Sequence, residues 1–143
     1  MCIRDRIRRI KKTHHKFSVV APSVVWIQDN LIIRFPEYLK KLPGPYTLIF
    51  QKADPNFLLT ASDSGSLGIR MPDHPFTEII QEAGVPFIST SANISGEKPV
   101  KQISEAPPEI LKSVDCAVDA GILDNPPSKI FDLSSQRIKI IRN

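Results

Sequence analysis

The sequence has few cysteines, no long apolar run and no glycine-rich phosphate-binding loop. Its two cysteines, Cys2 and Cys116, lie far apart and match no metal-ligand spacing, which indicates free thiols in a reducing compartment. Apolar stretches such as residues 17–20 and 31–33 are far shorter than the roughly 20 residues that a membrane-spanning helix requires. We therefore expect a cytoplasmic protein with no membrane partner. Neither a GxGxxG nor a GxxxxGKS/T motif occurs, so a nucleotide would have to be bound by another architecture.

Length and charge place further limits on the protein. The chain has 143 residues, 41% hydrophobic and 24% charged, which suits one compact globular domain. Its net charge of +4 is unevenly distributed, because the first 16 residues contain seven basic residues and only one acidic residue, Asp5. Such a basic run is typical of a surface that binds phosphates or RNA, and equally typical of a solvated helix face. Both interpretations stay open at this point.

The clearest secondary-structure patterns lie in the middle of the chain. In SLGIRM, residues 66–71, apolar side chains alternate with polar or small ones, which predicts a half-buried strand with a polar face. In PFTEIIQEAG, residues 75–84, apolar side chains recur at helical spacing, which predicts a helix that ends at Gly84. A serine at the start of residues 23–30 predicts the N-cap of another short helix.

Weaker patterns predict the remaining elements. The expected strands are residues 46–51, 85–89, 116–118, 129–133 and 138–141, and the expected short helices are residues 36–42 and 108–111. The Pro-Gly-Pro sequence at positions 43–45 ends the first of these helices, because proline fixes its torsion angle and glycine permits a turn. Since strands and helices interleave without repeats, we predict an α/β domain.

Two groups of polar residues are candidates for a binding site. Ser91 and Asn93 follow a predicted strand, where they either donate hydrogen bonds to a phosphate or carboxylate or form a turn that satisfies its own backbone. Arg70 lies on the polar face of its strand, where it either binds a planar oxyanion or pairs with Asp63 or Asp73 at the surface. From these residues alone, the turn and the surface ion pair are the preferred interpretations.

A series of motifs resembles one protein family. The strings PGPYTLIF, LGIRMPDHP, GVPFISTSANISG, SVDCAVDAG, PSKIFDL and RIKIIRN occur in this order. Each string alone is weak, but their order and spacing resemble the successive motifs of the YrdC-like threonylcarbamoyl-AMP synthases over about residues 10–142. The resemblance implies an α/β fold with a twisted, mixed sheet and flanking helices around a concave basic cavity.

The resemblance also implies an activity. Members of this family make threonylcarbamoyl-AMP and pyrophosphate from L-threonine, bicarbonate and ATP, and a downstream transferase places the threonylcarbamoyl group on an adenosine of tRNA. We therefore expect a nucleotidyltransferase of tRNA modification, with ATP as a substrate accompanied by Mg²⁺ and without a permanent cofactor. The expected partners are the three substrates, that transferase and tRNA. The resemblance also implies binding of double-stranded RNA. No covalent nucleophile is expected, because positioning and electrostatic stabilisation dominate this chemistry.

Individual site residues follow from the same resemblance. The expected ATP-binding residues are Lys11, Ser66, Ser91, Asn93 and Arg142. The expected threonine-binding residues are Arg70, Ser89 and Ser128. Ser66 and Arg70 belong to the polar face that alternation alone predicts for residues 66–71, so two separate arguments agree for them.

The chain departs from the family pattern in two places. The Lys-x-Arg motif corresponds to residues 11–13, where Thr13 stands at the arginine position. The family begins with a strand and a threonine-rich turn, which match nothing before Ile10. We expect residues 1–6 to be an extraneous start and residues 7–143 to form a single domain that lacks its first strand. Such a loss removes core burial and leaves an unpaired sheet edge.

Three other interpretations remain. In the first, the chain is an RNA-binding module that uses its basic N-terminal helix. In the second, it is an inactive fragment of the same fold. A carbamoyl-handling domain of the hydrogenase-maturation type shares this fold, but such domains occur in much longer chains with zinc-finger-like cysteines. The two lone cysteines argue against that third interpretation.

Overall fold

The computed structural model describes residues 3–143, and within them the chain forms four α-helices, two 3-10 helices and seven strands. The α-helices are α1 (Ile3–Lys11), α2 (Val24–Asn30), α3 (Pro75–Ala83) and α4 (Pro108–Leu111), and the 3-10 helices are Pro36–Lys41 and Ile103–Glu105. The strands are β1 (Ser18–Val20), β2 (Leu31–Ile32), β3 (Tyr46–Lys52), β4 (Ser66–Arg70), β5 (Phe87–Ser89), β6 (Lys129–Asp132) and β7 (Lys139–Arg142).

The chain divides into two compact units. The sheet unit consists of Lys16–Ser89 and Pro127–Asn143, and it contains all seven strands. The small unit consists of the chain up to His15 together with Thr90–Pro126, and it contains α1, α4 and the second 3-10 helix.

The strands of the sheet unit form one mixed sheet. Their order is β5-β1-β4-β3-β6-β7, and β2 pairs with β3. The pairs β1–β4 and β3–β6 are parallel, whereas the other neighbouring strands are antiparallel. The prediction of an α/β fold with a mixed sheet and flanking helices is therefore confirmed.

One face of the sheet carries the hydrophobic core. Alternation along β3 and β4 places Leu48, Phe50, Leu67 and Ile69 on this face, and each is at most 1% exposed. Ile27 of α2 packs into the same cluster and is fully buried. Because burying such a side chain contributes about 1.5–3 kcal/mol, this cluster supplies much of the stability of the sheet unit.

Two helix ends follow the sequence signals closely. The Ser23 hydroxyl accepts a hydrogen bond from the Trp26 backbone N–H at 3.0 Å, which satisfies one of the unpaired donors at the start of α2. Gly84 ends α3 with φ of 66°, a left-handed conformation that glycine adopts without steric cost. Both predicted caps are confirmed.

Other local predictions need correction. The predicted strand at residues 116–118 is wrong, because these exposed residues form irregular chain, and the described part of the small unit offers no strand for them to pair with. The predicted helix at residues 36–42 is a 3-10 helix over Pro36–Lys41. Strands β1 and β2 were not predicted, since strands of three and two residues are too short to display alternation.

Some expectations fall partly outside the described residues. Cys116 is a free, exposed thiol, as predicted, whereas Cys2 lies outside residues 3–143. The expectation of an extraneous start over residues 1–6 includes Met1 and Cys2, and it stays a prediction together with the single domain expected for residues 7–143. Among the helices of residues 3–143, none combines the length and apolar character that crossing a membrane requires.

Candidate functional site

The sheet face opposite the core carries polar and small residues, and we call it the polar face. Strand register places Gly68 of β4 beside Ser18 of β1 and Ile49 of β3, and places Ser18 beside Ser89 of β5. A Cβ atom added to Gly68 would lie 3.6 Å from the side chains of both Ser18 and Thr47. These two side chains therefore lie on either side of Gly68, which has no side chain of its own. The polar face is made of these residues: Ser18, Thr47, Ser66, Gly68, Arg70 and Ser89.

Arg70 is the principal charge on the polar face. Its Nη1 donates to the Ser89 hydroxyl at 3.3 Å, which brings together two of the residues expected to bind threonine. Burial, and secondly the positive charge of Arg142, lower the pKa of the Arg70 guanidinium from its ordinary value. None of the ion pairs found within residues 3–143 includes Arg70, so the structure does not pair it with Asp63 or Asp73. A half-buried cation in this setting is suited to binding an anion.

A second group of polar side chains lies at the start of β6. Arg142 of β7 donates from Nε to the Ser128 carbonyl at 2.7 Å and from Nη2 to the Ser128 hydroxyl at 3.1 Å. The Ser128 hydroxyl also lies 2.7 Å from the Thr47 hydroxyl. The structure thus joins Ser128 and Arg142, both expected from the resemblance, to Thr47, which the resemblance did not include.

Thr47 and Ser18 are the polar-face residues that the analysis of the sequence missed. Thr47 occupies the same side of its strand as residues 49 and 51, so alternation along β3 was the available signal. That signal alone is weak, because Thr47 is itself buried, at 6% exposed, and resembles a core position. Its partner Ser128 is 81 residues away in sequence, and only the parallel pairing of β3 with β6 brings them together.

Ser66 lies at the first residue of β4 in a small cluster of serines. Its carbonyl accepts hydrogen bonds from the Ser62 hydroxyl at 2.9 Å and the Ser64 hydroxyl at 3.2 Å. Its own hydroxyl lies 3.3 Å from that of Ser64. The Ser66 hydroxyl is therefore held at the end of the polar face by a local turn, in a position where it can donate to a bound group.

In the small unit, Lys11 meets the predicted Ser91–Asn93 pair. The Lys11 ammonium donates to the Asn93 side-chain oxygen at 2.7 Å, to the Asn93 carbonyl at 2.9 Å and to the Ser91 carbonyl. The Ser91 hydroxyl donates to the same Asn93 oxygen at 2.6 Å. Lys11 is only 7% exposed, and burial lowers the pKa of its ammonium. These three residues therefore form one charged cluster, in which the Lys11 ammonium and the Ser91 hydroxyl donate hydrogen bonds to oxygens of Ser91 and Asn93.

The turn at residues 91–97 also satisfies part of its own backbone. The Asn93 side-chain nitrogen donates to the Glu97 carbonyl at 2.6 Å, and the Asn93 backbone N–H donates to the Ser91 carbonyl at 3.1 Å. The expectation of a self-satisfied turn therefore describes these bonds of Asn93. It does not account for Lys11, whose charge enters the cluster from α1, 80 or more residues away in sequence.

Thr13 lies at the position where the resemblance implies an arginine. It is 7% exposed, and its hydroxyl accepts a hydrogen bond from the His15 backbone N–H at 3.2 Å. A threonine here adds no positive charge beside Lys11, so the small unit has one cation fewer for an anionic ligand than the family pattern implies.

The chain is similar to proteins of known sequence and structure. The Sua5/YciO/YrdC family, described as Telomere recombination, matches residues 3–143. A protein of Methanocaldococcus jannaschii is 40% identical over 105 residues, covering 72% of this chain and 48% of its own length. The threonylcarbamoyl-AMP synthase of Xanthomonas axonopodis pv. citri is 33% identical over 129 residues, covering 84% of this chain and 68% of its own length.

Solved structures support the fold in the same way. The crystal structure of P. abyssi Sua5 complexed with L-threonine superposes with a TM-score of 0.82 at 21% identity, over 96% of this chain and 43% of that chain. At this identity the likeness concerns the fold alone. The chain spans about half to two thirds of the length of the curated relatives it matches.

Proposed function

The chain belongs to the Sua5/YciO/YrdC family, and from this membership we propose that it is an L-threonylcarbamoyladenylate synthase. The proposed reaction joins L-threonine, bicarbonate and ATP to give threonylcarbamoyl-AMP and pyrophosphate, for use by a transferase that modifies tRNA. Relatives that carry the synthase name support the activity. The L-threonine complex of P. abyssi Sua5 supports the choice of amino acid.

The observation that carries the proposal is the arrangement of charges and hydroxyls in the sheet unit. Arg70 contacts Ser89, Arg142 contacts Ser128, and the two guanidiniums are close enough for Arg142 to lower the pKa of Arg70. Neither guanidinium is in an ion pair found within residues 3–143. Two neighbouring cations without a carboxylate between them favour an anionic ligand, and L-threonine carries a carboxylate.

The proposed chemistry needs cations more than it needs a nucleophilic side chain. The amine of L-threonine condenses with bicarbonate to form a carbamate and releases water, and a carbamate oxygen then attacks the α-phosphorus of ATP while pyrophosphate leaves. Both reactants are anionic, so cations and neutral donors must hold them in line. In the sheet unit we assign Arg70, Ser89 and Ser128 to threonine.

Nucleotide-binding residues are proposed for each unit by itself. In the small unit these are Lys11, Ser91 and Asn93, and in the sheet unit they are Ser66 and Arg142. The Lys11 ammonium already donates to four oxygens of Ser91 and Asn93, and phosphate oxygens can replace them as acceptors. Magnesium would accompany the triphosphate, whose oxygens are ligands that it prefers, and would help to neutralise the phosphate charge. Residues 3–143 contain no group of three or more His, Cys, Asp or Glu that could hold a metal, so no step is assigned to a protein-bound ion.

Pyrophosphate release tests the proposal directly. The purified chain should release pyrophosphate from ATP only when L-threonine and bicarbonate are both present. Arg142→Ala should slow this release, whereas Arg137→Ala, which removes an exposed arginine of the same unit, should leave it unchanged. Release that does not depend on L-threonine, or no release from a folded chain, would count against the proposed activity.

RNA binding is a second candidate function, and the small unit favours it. A surface depression of about 420 Å³ is lined by four basic residues, Arg6, Arg9, Lys12 and Lys112, and by the acidic residue Glu109. Positive charge at such a surface binds phosphodiester backbones irrespective of sequence. The affinity for double-stranded RNA should then fall steeply with salt, and Lys112→Ala should make the slope shallower. A flat salt response would exclude this function.

A further inference from the structure

Thr47 is a buried polar residue whose hydroxyl has one partner. It lies in β3 on the polar face and is 6% exposed. Buried hydroxyls are nearly always hydrogen-bonded, and within residues 3–143 the hydrogen bond found for this hydroxyl is the 2.7 Å contact with the Ser128 hydroxyl. Valine would suit a buried strand position of this shape equally well, so packing alone does not explain the hydroxyl.

The hydrogen bonds around Ser128 decide what its hydroxyl can offer. A serine hydroxyl has one donor and two acceptor lone pairs. Arg142 Nη2 donates to one of these lone pairs at 3.1 Å. In the contact between the Thr47 and Ser128 hydroxyls, either oxygen can be the donor. In the direction in which Thr47 donates, both lone pairs of Ser128 are occupied and its O–H group is the one that remains available. A serine held in this way can only donate, and it selects an acceptor atom in a ligand.

We propose that Thr47 is a positioning residue that holds the Ser128 hydroxyl as a donor toward an acceptor oxygen of the bound amino acid. This inference rests on the proposed function, in which Ser128 binds L-threonine. Thr47 acts through Ser128 and does not itself touch the substrate. Arg142 completes the arrangement, because it also fixes the Ser128 backbone through its carbonyl at 2.7 Å.

The test compares variants that keep or remove the Thr47 hydroxyl. Thr47→Val removes it with little change of shape, Thr47→Ser keeps it, and Thr60→Val is a matched control at an exposed threonine of the same unit. The dissociation constant for L-threonine is measured by calorimetry. We expect Thr47→Val to raise it about fivefold to tenfold, which corresponds to about 1.0–1.4 kcal/mol. Thr47→Ser and Thr60→Val should bind like the unaltered chain.

A double-mutant cycle separates positioning from a general structural effect. If Thr47 acts through Ser128, then Thr47→Val should have no further effect on L-threonine binding once Ser128→Ala is present. Additive effects of the two substitutions would overturn the inference. Urea denaturation of every variant checks that the fold is retained. Should Thr47→Val fail to fold, Thr47→Ala is used instead, since it removes the hydroxyl without placing a methyl group beside Ser128.

The possible results also distinguish this inference from the proposed function. If the unaltered chain does not bind L-threonine, the proposed function is wrong, and the role of Thr47 falls with it. If the unaltered chain binds L-threonine and Thr47→Val binds equally well, only the role of Thr47 is wrong. Weaker binding that Thr47→Ser restores and that disappears in the Ser128→Ala background supports it.

Discussion

Replacing Arg70 with methionine should weaken the binding of L-threonine without lowering the stability of the protein. Methionine retains most of the apolar stem of arginine and removes the guanidinium. Among residues 3–143, the hydrogen bond found between this guanidinium and a side chain is the one to Ser89 at 3.3 Å, while burial and the charge of Arg142 lower its pKa. The fold therefore gains little from the positive charge, whereas an anionic ligand gains a great deal from it.

The expected magnitudes follow from these contacts. Losing one long hydrogen bond to a neutral hydroxyl costs about 0.5–1.5 kcal/mol, and removing a desolvated charge beside Arg142 offsets this loss. We therefore expect the free energy of unfolding to change by less than about 1 kcal/mol. A hydrogen bond to a charged ligand group contributes about 1.5–3 kcal/mol, so the dissociation constant for L-threonine should rise about 10- to 150-fold.

Two measurements on the same variant check both halves of this prediction. Calorimetric titration with L-threonine gives the dissociation constant, and urea denaturation gives the free energy of unfolding. Arg137→Met serves as the control, since Arg137 is an exposed arginine of the same unit. An unchanged dissociation constant would refute the role of Arg70 in binding. A loss of more than about 2 kcal/mol in stability would show that its charge serves the fold.

Two further predictions concern the fold of each unit. Phe50→Ala should lower the free energy of unfolding by about 3–5 kcal/mol, because the Phe50 side chain is fully buried. Phe76→Ala, at a side chain that is 46% exposed, should lower it by no more than about 1.5 kcal/mol. Equal losses of stability in urea denaturation would contradict the assigned core. The hydrogen bond from Arg6 lowers the pKa of Asp115 below its ordinary value of 3.8. The stability that this bond contributes is therefore fully present above pH 3.8. It is lost as the pH falls through the lowered pKa of Asp115. An NMR titration should find Asp115 below 3.8, and Arg6→Ala should return it to the ordinary value.

Much of the secondary structure was available from the sequence. The helix over Pro75–Ala83 and the strand over Ser66–Arg70 were predicted because their apolar residues recur at the periods of a helix and a strand. The end of α3 followed from Gly84, and the start of α2 followed from the cap at Ser23; both are local signals. Prediction failed at residues 116–118, because an extended segment becomes a strand only when a neighbour completes its hydrogen bonds.

Some features of the candidate site follow from local sequence patterns, and others depend on contacts between residues that are distant in the sequence. Alternation alone placed Ser66 and Arg70 on one face, since both lie in the same strand. The family resemblance also indicated Lys11, Ser89 and Ser128 as site residues, but it did not show which residues they contact. Strand register then joined Arg70 to Ser89, and the meeting of α1 with the turn at residues 91–97 joined Lys11 to its acceptors.

The sequence by itself determined the family, the polar face of β4 and the type of chemistry that its serines and arginines can perform. Only the tertiary structure decided which of these side chains act together. It joined Thr47 to Ser128 across 81 residues, brought Arg142 near enough to lower the pKa of Arg70, and buried the Lys11 ammonium among oxygens of Ser91 and Asn93. The physical reason is that periodicity acts over a few residues, whereas hydrogen bonds and pKa shifts depend on distances in space, which the pairing of remote strands and helices sets.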